Sequence, residues 1–218
     1  MQQSTLFDIA TWIIPLVFAI VLHEISHGWV AYAFGDPTAK EQRRLSPNPI
    51  RHIDPFGTLI LPMMLALAHA PVFGWAKPVP VNEKRLCNPR FQMVLVALAG
   101  PGMNFLLAFL TMLALATVVP AGASPFVIAN LRNFLVLNVF LAVFNLIPLP
   151  PFDGGHIVEG LLPRPLAVYY RKLRPFAFPL VLFLLVVLPL IAPRANIVRA
   201  IVVPPVRAIL DFYASIIG

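Results

Sequence analysis

The chain has 218 residues, of which 59% are hydrophobic and 11% are charged, and its formal net charge is +7. Soluble domains carry about 25% charged residues, and apolar runs near the ~20 residues that cross a bilayer recur here, so the composition excludes a soluble protein. The basic residues lie in loops between these runs, which favours lipid headgroups over nucleic acid as their partner. The only cysteine, Cys87, excludes an internal disulfide and a multi-cysteine zinc site.

Long apolar runs predict an all-α polytopic membrane protein. The five strongest runs are Leu6–Phe34, Phe91–Val119, Ile128–Leu149, Pro175–Ala192 and Ile197–Ile217. A weaker run, Phe56–His69, is short for a span and contains Pro62, so it predicts either a re-entrant or interfacial element or a short tilted helix. The sequence therefore predicts five to six transmembrane helices.

Basic residues predict the orientation of these helices. Eight of them fall between the first run and Phe91, namely Lys40, Arg43, Arg44, Arg51, Lys77, Lys84, Arg85 and Arg90. The loop after Val119 has almost none, and basic residues return at 164–174. The positive-inside rule then predicts an outside N-terminus, a cytoplasmic 35–90 segment and five full spans rather than six.

The first run contains the stretch HEISH, from His23 to His27. Residues four apart lie on one helix face, so both histidines can bind one metal ion with Glu24 beside them. This is the H-E-x-x-H pattern of zinc hydrolases, in which the glutamate is the general base. The alternative is a polar helix face packed against loops, but ionisable residues inside a span favour a function. Gly35 predicts the end of the helix, which places His27 roughly 12 Å from that end.

A hydrolytic zinc site needs a third protein ligand, and HEISH does not supply it. The extended motif is absent, because Val30 and Ala33 replace its glycine and third histidine. The remaining candidates are Asp36, Glu41, Asp54, Glu83, Asp211 and Asp153, the last followed by His156 and Glu159. Asp153 follows the proline-rich stretch NLIPLPPF, which predicts either extended backbone lining a cavity or a surface turn.

Four stretches resemble the site-2 protease family of intramembrane zinc metalloproteases, in particular its small members without a PDZ domain. They are HEISHGWVAYAFGD (His23–Asp36), GWAKPVPVN (Gly74–Asn82), ALAGPGMN (Ala97–Asn104) and NLIPLPPFDGG (Asn145–Gly155). They occur in the order that the family has. The residues after Gly155 carry little of this resemblance.

The resemblance implies one Zn²⁺ ion bound by His23, His27 and Asp153, with Glu24 as the general base and then the acid. It implies hydrolysis of peptide bonds in transmembrane protein or peptide substrates, within the cell membrane and nearer its cytoplasmic face. One alternative is a membrane zinc transporter or metal sensor that uses the same ligands. Another is an inactive relative that binds transmembrane helices without cutting them.

The resemblance also implies roles for residues outside the metal ligands. Asn145 is suited to holding the substrate backbone or the developing oxyanion. Asn104 either has a similar role or is a helix-packing amide. Gly74–Asn82 implies a short membrane-associated strand whose free edge can pair with substrate, and the alternative is a plain loop. A single membrane-embedded domain is expected over 1–218, with a catalytic core of about 6–155 and C-terminal helices over about 156–218.

Overall fold

The structure, a computed structural model, describes residues 5–68, 74–192 and 198–217. These residues form helices and turns, and no β-strand occurs among them. The α-helices are α1 Thr5–Ala33, α2 Thr38–Glu41, α3 Leu61–Leu67, α4 Pro89–Val118, α5 Pro125–Asn145, α6 Asp153–Leu161, α7 Arg164–Arg171, α8 Arg174–Leu182, α9 Leu188–Ile191 and α10 Val203–Ile217. Short 3-10 helices cover Pro49–His52 and Glu83–Arg85, and π-helical turns cover Pro55–Ile60, Phe183–Val187 and Val198–Val202. The predicted all-α class is confirmed for the described residues.

Four helical segments are long and apolar enough to cross a bilayer, and these are Thr5–Ala33, Pro89–Val118, Pro125–Asn145 and Arg174–Ile191. The predicted span Ile197–Ile217 is helical where it is described, but α10 has only 15 residues and Ile197 lies outside the described part. The weak run Phe56–His69 forms a shorter apolar helix, Pro55–Leu67, and His69 also lies outside the described part. A count of five to six spans therefore stays a prediction.

The core is formed by α1, α4 and α5, which pack against one another, with α6 against α4. Alanines fill these interfaces, and Ala19, Ala31, Ala97, Ala108 and Ala142 are buried. Small residues allow helices in a membrane to approach closely. The three helices can therefore bring distant polar side chains into contact.

The C-terminal helix α10 packs on α4 and α5 through apolar side chains. The buried members of this cluster are Ala108, Met112, Val139, Val202, Val206 and Tyr213. The Tyr213 hydroxyl donates to the carbonyl oxygen of Phe105 at 3.2 Å, which satisfies its polar end. This cluster joins the C-terminal helix to α4 and α5.

Candidate metal centre

The three side chains predicted as zinc ligands meet at one point. His23 and His27 lie one turn apart on α1, and their Nε2 atoms are 3.1 Å apart. Asp153 comes from α6 and places Oδ2 3.2 Å from His23 Nε2 and Oδ1 3.4 Å from His27 Nε2. The three ligand atoms lie within 4.8 Å of one another, a spacing that one metal ion can bridge.

Both imidazole rings are held through Nδ1. His23 Nδ1 lies 2.5 Å from Asn104 Oδ1, and His27 Nδ1 lies 2.7 Å from the carbonyl oxygen of Val96. Carbonyl oxygens only accept hydrogen bonds, so in each neutral ring Nδ1 carries the proton and Nε2 presents its lone pair. Metal-binding histidines have this arrangement, in which the outer nitrogen donates to a fixed partner.

The surroundings of these atoms fit a zinc ion. Asp153 Oδ2 is buried and has no hydrogen-bond partner among the described residues. Gly100 of α4 faces the two histidines so closely that a Cβ there would lie 2.4 Å from His27 Nε2. The glycine thus keeps space open in front of two lone pairs and a carboxylate oxygen. Two imidazoles and one carboxylate are a frequent ligand set of catalytic zinc.

Asp153 is the first residue of α6 and follows turns rather than extended backbone, so the prediction of extended backbone is wrong. The chain leaves α5 at Asn145 and turns over 146–152. Gly154 packs so tightly that a Cβ would lie 2.4 Å from the carbonyl oxygens of Leu146 and Ile147. The prolines therefore end α5 in compact turns rather than an extended run. A carboxylate in the first turn of a helix is also favoured by the helix dipole.

Glu24 is oriented by a segment from outside the core helices. The backbone N–H of Val79 donates to Glu24 Oε2 at 2.8 Å. The guanidinium of Arg44 is buried and donates to the carbonyl oxygens of Lys77 and Pro78, immediately before Val79. The glutamate of HEISH therefore has a fixed position beside the two histidines.

The 74–82 segment is not a strand, but its hydrogen bonding alternates. The N–H groups of Trp75 and Lys77 donate to carbonyl oxygens in the turns before α3, at 3.1 and 2.9 Å, and that of Val79 donates to Glu24. The residues between them, Ala76 and Pro78, line a cavity together with Gly74 and Trp75. The N–H groups on one edge of the segment are thus bonded to the protein, and Ala76 on the other edge borders the cavity.

The cavity has a volume of about 380 Å³ and is bordered by His23 and Glu24. Most of its remaining lining is apolar and includes Leu141, Phe144, Phe152, Phe178 and Val181. The ring of Phe178 meets that of Trp75 edge to face, with centroids 5.0 Å apart. A cavity of this volume with a few polar groups at one side is typical of a ligand site.

The two asparagines predicted from the resemblance have different surroundings. Asn145 lines the cavity and donates through Nδ2 to the carbonyl oxygen of Leu141 at 3.0 Å. Asn104 is fully buried and bonds to His23. Asn104 thus lies among the core helices and outside the cavity lining.

The other candidate ligands lie outside the group of possible metal ligands among the described residues, and four of them have partners elsewhere. Asp36 accepts from the N–H groups of Thr38 and Asn82. Glu41 pairs with Arg85. Asp54 accepts from the N–H groups of Phe56 and Gly57, and Glu159 pairs with Arg171 and Arg174. His156 lies on α6 beside a small cavity that Glu159 also borders, and it is outside the group of possible metal ligands.

Sequence reasoning missed three groups that bond the site or its neighbours, which are the Val79 N–H, the Val96 carbonyl and the side chain of Asn138. The sequence does not indicate which backbone groups will bond to the site. Asn138, however, is an amide inside a predicted span, and it bonds Asn104 at 2.7 Å. A polar residue in a span is itself a signal that could have identified it.

Comparisons with known proteins agree with the geometry. Residues 11–123 and 119–188 match Peptidase family M50. The similar proteins are named "Putative zinc metalloprotease".

YwhC of Bacillus subtilis (strain 168) is 40% identical over 184 residues, which are 82% of this chain and 80% of that protein. Rip2 of Mycobacterium tuberculosis (strain ATCC 35801 / TMC 107 / Erdman) is 33% identical over 81% of this chain and 66% of its own length. Rip2 of Mycolicibacterium smegmatis (strain ATCC 700084 / mc(2)155) is 30% identical over 86% of this chain and 68% of its own length.

No solved structure matches the chain. The family match covers most of the sequence and includes both histidines and Asp153. The resemblance to site-2 proteases is thereby confirmed. The chain belongs to Peptidase family M50 and is a zinc metalloprotease of the membrane.

Proposed function

We propose that the chain is an intramembrane protease that hydrolyses peptide bonds of transmembrane protein or peptide substrates, with a single zinc ion held by His23, His27 and Asp153. The observation that carries the proposal is the convergence of these three side chains beside Glu24, on and between helices long enough to cross a bilayer. Charged and metal-binding groups are costly at this depth, and a catalytic site accounts for all four of them.

The chemistry follows from the groups that face the cavity. When bound, a zinc ion polarises a carbonyl group and makes water a stronger acid. Glu24, held by the Val79 N–H, accepts a proton from the attacking water and later donates it to the leaving nitrogen. Asn145 lies on the cavity wall, where its amide can donate to the carbonyl oxygen of the scissile peptide.

Substrate binding uses the 74–82 segment in this proposal. A helical substrate hides its carbonyls in i→i−4 hydrogen bonds, so it must be unwound before cleavage. The cavity-facing edge of the segment offers the N–H and carbonyl groups of Ala76, to which an unwound substrate can add by β-type pairing. Pro78 and Pro80 have no N–H, which confines the donors on this edge to the neighbourhood of Ala76.

The proposed location is the cell membrane, with the active site nearer the cytoplasmic face. Eight basic residues between the first two spans support a cytoplasmic 35–90 segment. This segment includes Val79, which bonds Glu24, so the site lies on the same side. We also propose that residues 1–218 act as one membrane-embedded domain.

Replacing Glu24 by Gln in purified, reconstituted protein tests this function. We expect cleavage of a transmembrane peptide to fall by about 10²- to 10⁴-fold while bound zinc stays at one ion per chain. Glu41→Gln is the control, because Glu41 is exposed and pairs with Arg85 on the surface. Cleavage by Glu24→Gln at the wild-type rate would refute the mechanism. Zinc uptake into sealed vesicles without any cleavage would instead support a transporter.

A further inference from the structure

A chain of buried hydrogen bonds connects His23 on α1 with the backbone of α5. Asn104 Nδ2 donates to Asn138 Oδ1 at 2.7 Å, and Asn138 Nδ2 donates to the carbonyl oxygen of Phe134 at 2.8 Å. Both asparagines are fully buried within helices long enough to span a membrane. Polar side chains in such positions are rare and usually serve a function.

The direction of each bond in this chain is fixed by the one before it. The Phe134 carbonyl only accepts, so it holds the Nδ2 end of Asn138 and turns Oδ1 towards Asn104. Asn104 must then direct Nδ2 to Asn138, and the same Nδ2 contacts the carbonyl oxygen of Ala19 at 3.3 Å. Its Oδ1 is left for His23 and can accept only from a protonated Nδ1. The Nε2 lone pair of His23 therefore faces Asp153.

The two histidines differ in the kind of acceptor that holds Nδ1. His27 Nδ1 bonds to a backbone carbonyl of α4, which cannot turn round. His23 Nδ1 bonds to an amide whose two ends have similar shape and opposite hydrogen-bonding roles. The tautomer of His23 therefore depends on whatever holds the Asn104 amide in place.

We propose that Asn138 is a positioning residue of the metal centre, which fixes the amide orientation of Asn104 and thereby the tautomer and ring orientation of His23. Asn138 contacts neither the substrate nor the metal-binding side chains, and it acts through Asn104. Without its oxygen, Asn104 keeps only the longer contact to Ala19 and can rotate Nδ2 towards His23. The inference rests on the proposed zinc site and adds α5 to the helices that form and support it.

Replacement of Asn138 by Leu removes the acceptor at similar volume, and two measurements on the zinc-loaded protein test the result. We expect the variant to bind zinc about tenfold more weakly, as measured by transfer of zinc to a competing chelator. This value is at the low end of the losses seen when hydrogen-bond partners of metal ligands are removed. In protein labelled with ¹⁵N-histidine, the Nδ1 proton signal of His23 should move and that of His27 should not. Asn133→Leu is the matched control, since Asn133 lies on the same helix and donates to the Thr11 carbonyl instead.

A second pair of variants separates hydrogen bonding from packing. Asn138→Thr supplies a hydroxyl that can accept from Asn104 and donate to the Phe134 carbonyl, whereas Asn138→Val has the same shape and cannot. We expect the Thr variant to bind zinc about tenfold more tightly than the Val variant. This comparison decides the question even where the leucine variant does not fold.

Equal zinc affinity in the Thr and Val variants, or an unmoved His23 signal in the leucine variant, would overturn the inference. An equal loss in Asn133→Leu would do so too, because it would show a general packing effect. These outcomes differ from failure of the proposed function, in which the wild-type protein itself binds no zinc. Wild-type protein that binds zinc and cleaves, beside unaffected Asn138 variants, would refute only the role of Asn138.

Discussion

The three core helices and the C-terminal region are built in different ways. α1, α4 and α5 are continuous and are joined by buried polar contacts such as those from His23 to Asn104 and Asn138. The region from Arg164 onwards consists of shorter helices and π-helical turns, and its contacts with α4 and α5 are mainly apolar, whereas Arg171 and Arg174 pair with Glu159 of α6. Hydrogen bonds are directional and fix ligand atoms, whereas apolar contacts tolerate changes of shape. The core is thus suited to hold a metal ion, whereas the C-terminal region contributes Phe178 and Val181 to the apolar lining of the cavity.

The largest effect is expected from Gly100→Ala in the polar core. The added methyl group would lie 2.4 Å from His27 Nε2 and 2.5 Å from His23 Cε1, so the rings must move. We expect loss of stoichiometric zinc and of measurable cleavage, read by metal analysis and a peptide cleavage assay. Gly102→Ala is the control, because nothing lies within 4 Å of a Cβ there. Retained zinc in Gly100→Ala would show that the core is more plastic than this comparison assumes.

The next effect is expected from Ala76→Pro, which removes an N–H from the cavity-facing edge of the 74–82 segment. The bonds of Trp75, Lys77 and Val79 lie on the other edge and should persist. We expect cleavage to fall by about 10- to 100-fold with zinc content unchanged, in line with the loss of a substrate hydrogen bond whose partner stays buried. Ala76→Ser keeps the N–H and serves as control. Equal activity of the two variants would exclude backbone pairing at this position.

A smaller effect, on stability, is expected at Asp36, which links the end of α1 to the 74–82 segment. Burial raises the pKa of Asp36, but hydrogen bonds from Thr38 and from the Asn82 N–H outweigh it, and the pKa lies below the ordinary value of 3.8. The stabilisation is therefore complete above that value and is lost as the pH falls through the folded-state pKa.

Asp36→Asn should lower the free energy of unfolding by about 1.5–3 kcal/mol at pH 7, as expected for hydrogen bonds to a charged group. The difference from wild type should shrink below about pH 4, which denaturation in detergent at several pH values can measure. Asp211→Asn, at an exposed position of α10, is the control. A difference that stays constant down to the lowest pH would contradict the assignment of a charged link.

The smallest effect is expected from Phe178→Ala in the apolar region. Phe178 borders the cavity and contacts Trp75 through an edge-to-face ring pair. Its removal should enlarge the cavity and shift the preference between peptides with large and small side chains at the cleavage site by about tenfold, with zinc unchanged. Phe176→Ala, 69% exposed on the same helix, is the control. An unchanged preference would show that this wall does not select substrates.

The sequence predicted the parts of the site that follow from local geometry. The spacing of His23 and His27 fixes both on one helix face, so their proximity needs no tertiary information. The resemblance identified Asp153 as a ligand. The backbone conformation before it could not be predicted, because prolines end a helix equally well in turns or in an extended run. Asn104 bonds a histidine rather than facing the cavity because helix packing, invisible in the sequence, brings α4 against α1.

The long spans of the fold were predictable for a similar reason. Hydropathy and length identify four of them directly, and their ends lie within a few residues of the predicted runs. The 74–82 segment was not predictable in detail. Its conformation depends on Arg44 and Glu24, which are distant in the sequence and close in the fold.

Gly100 has a consequence for the classification of related proteins. A side chain at this position and a bound ion compete for the same volume in front of the histidines. A paralogue with both histidines, the glutamate and the aspartate, but with a larger residue here, should be a pseudoenzyme despite its complete set of ligands. In such a protein the residue at this position, rather than the set of ligands, would decide whether the ion can bind.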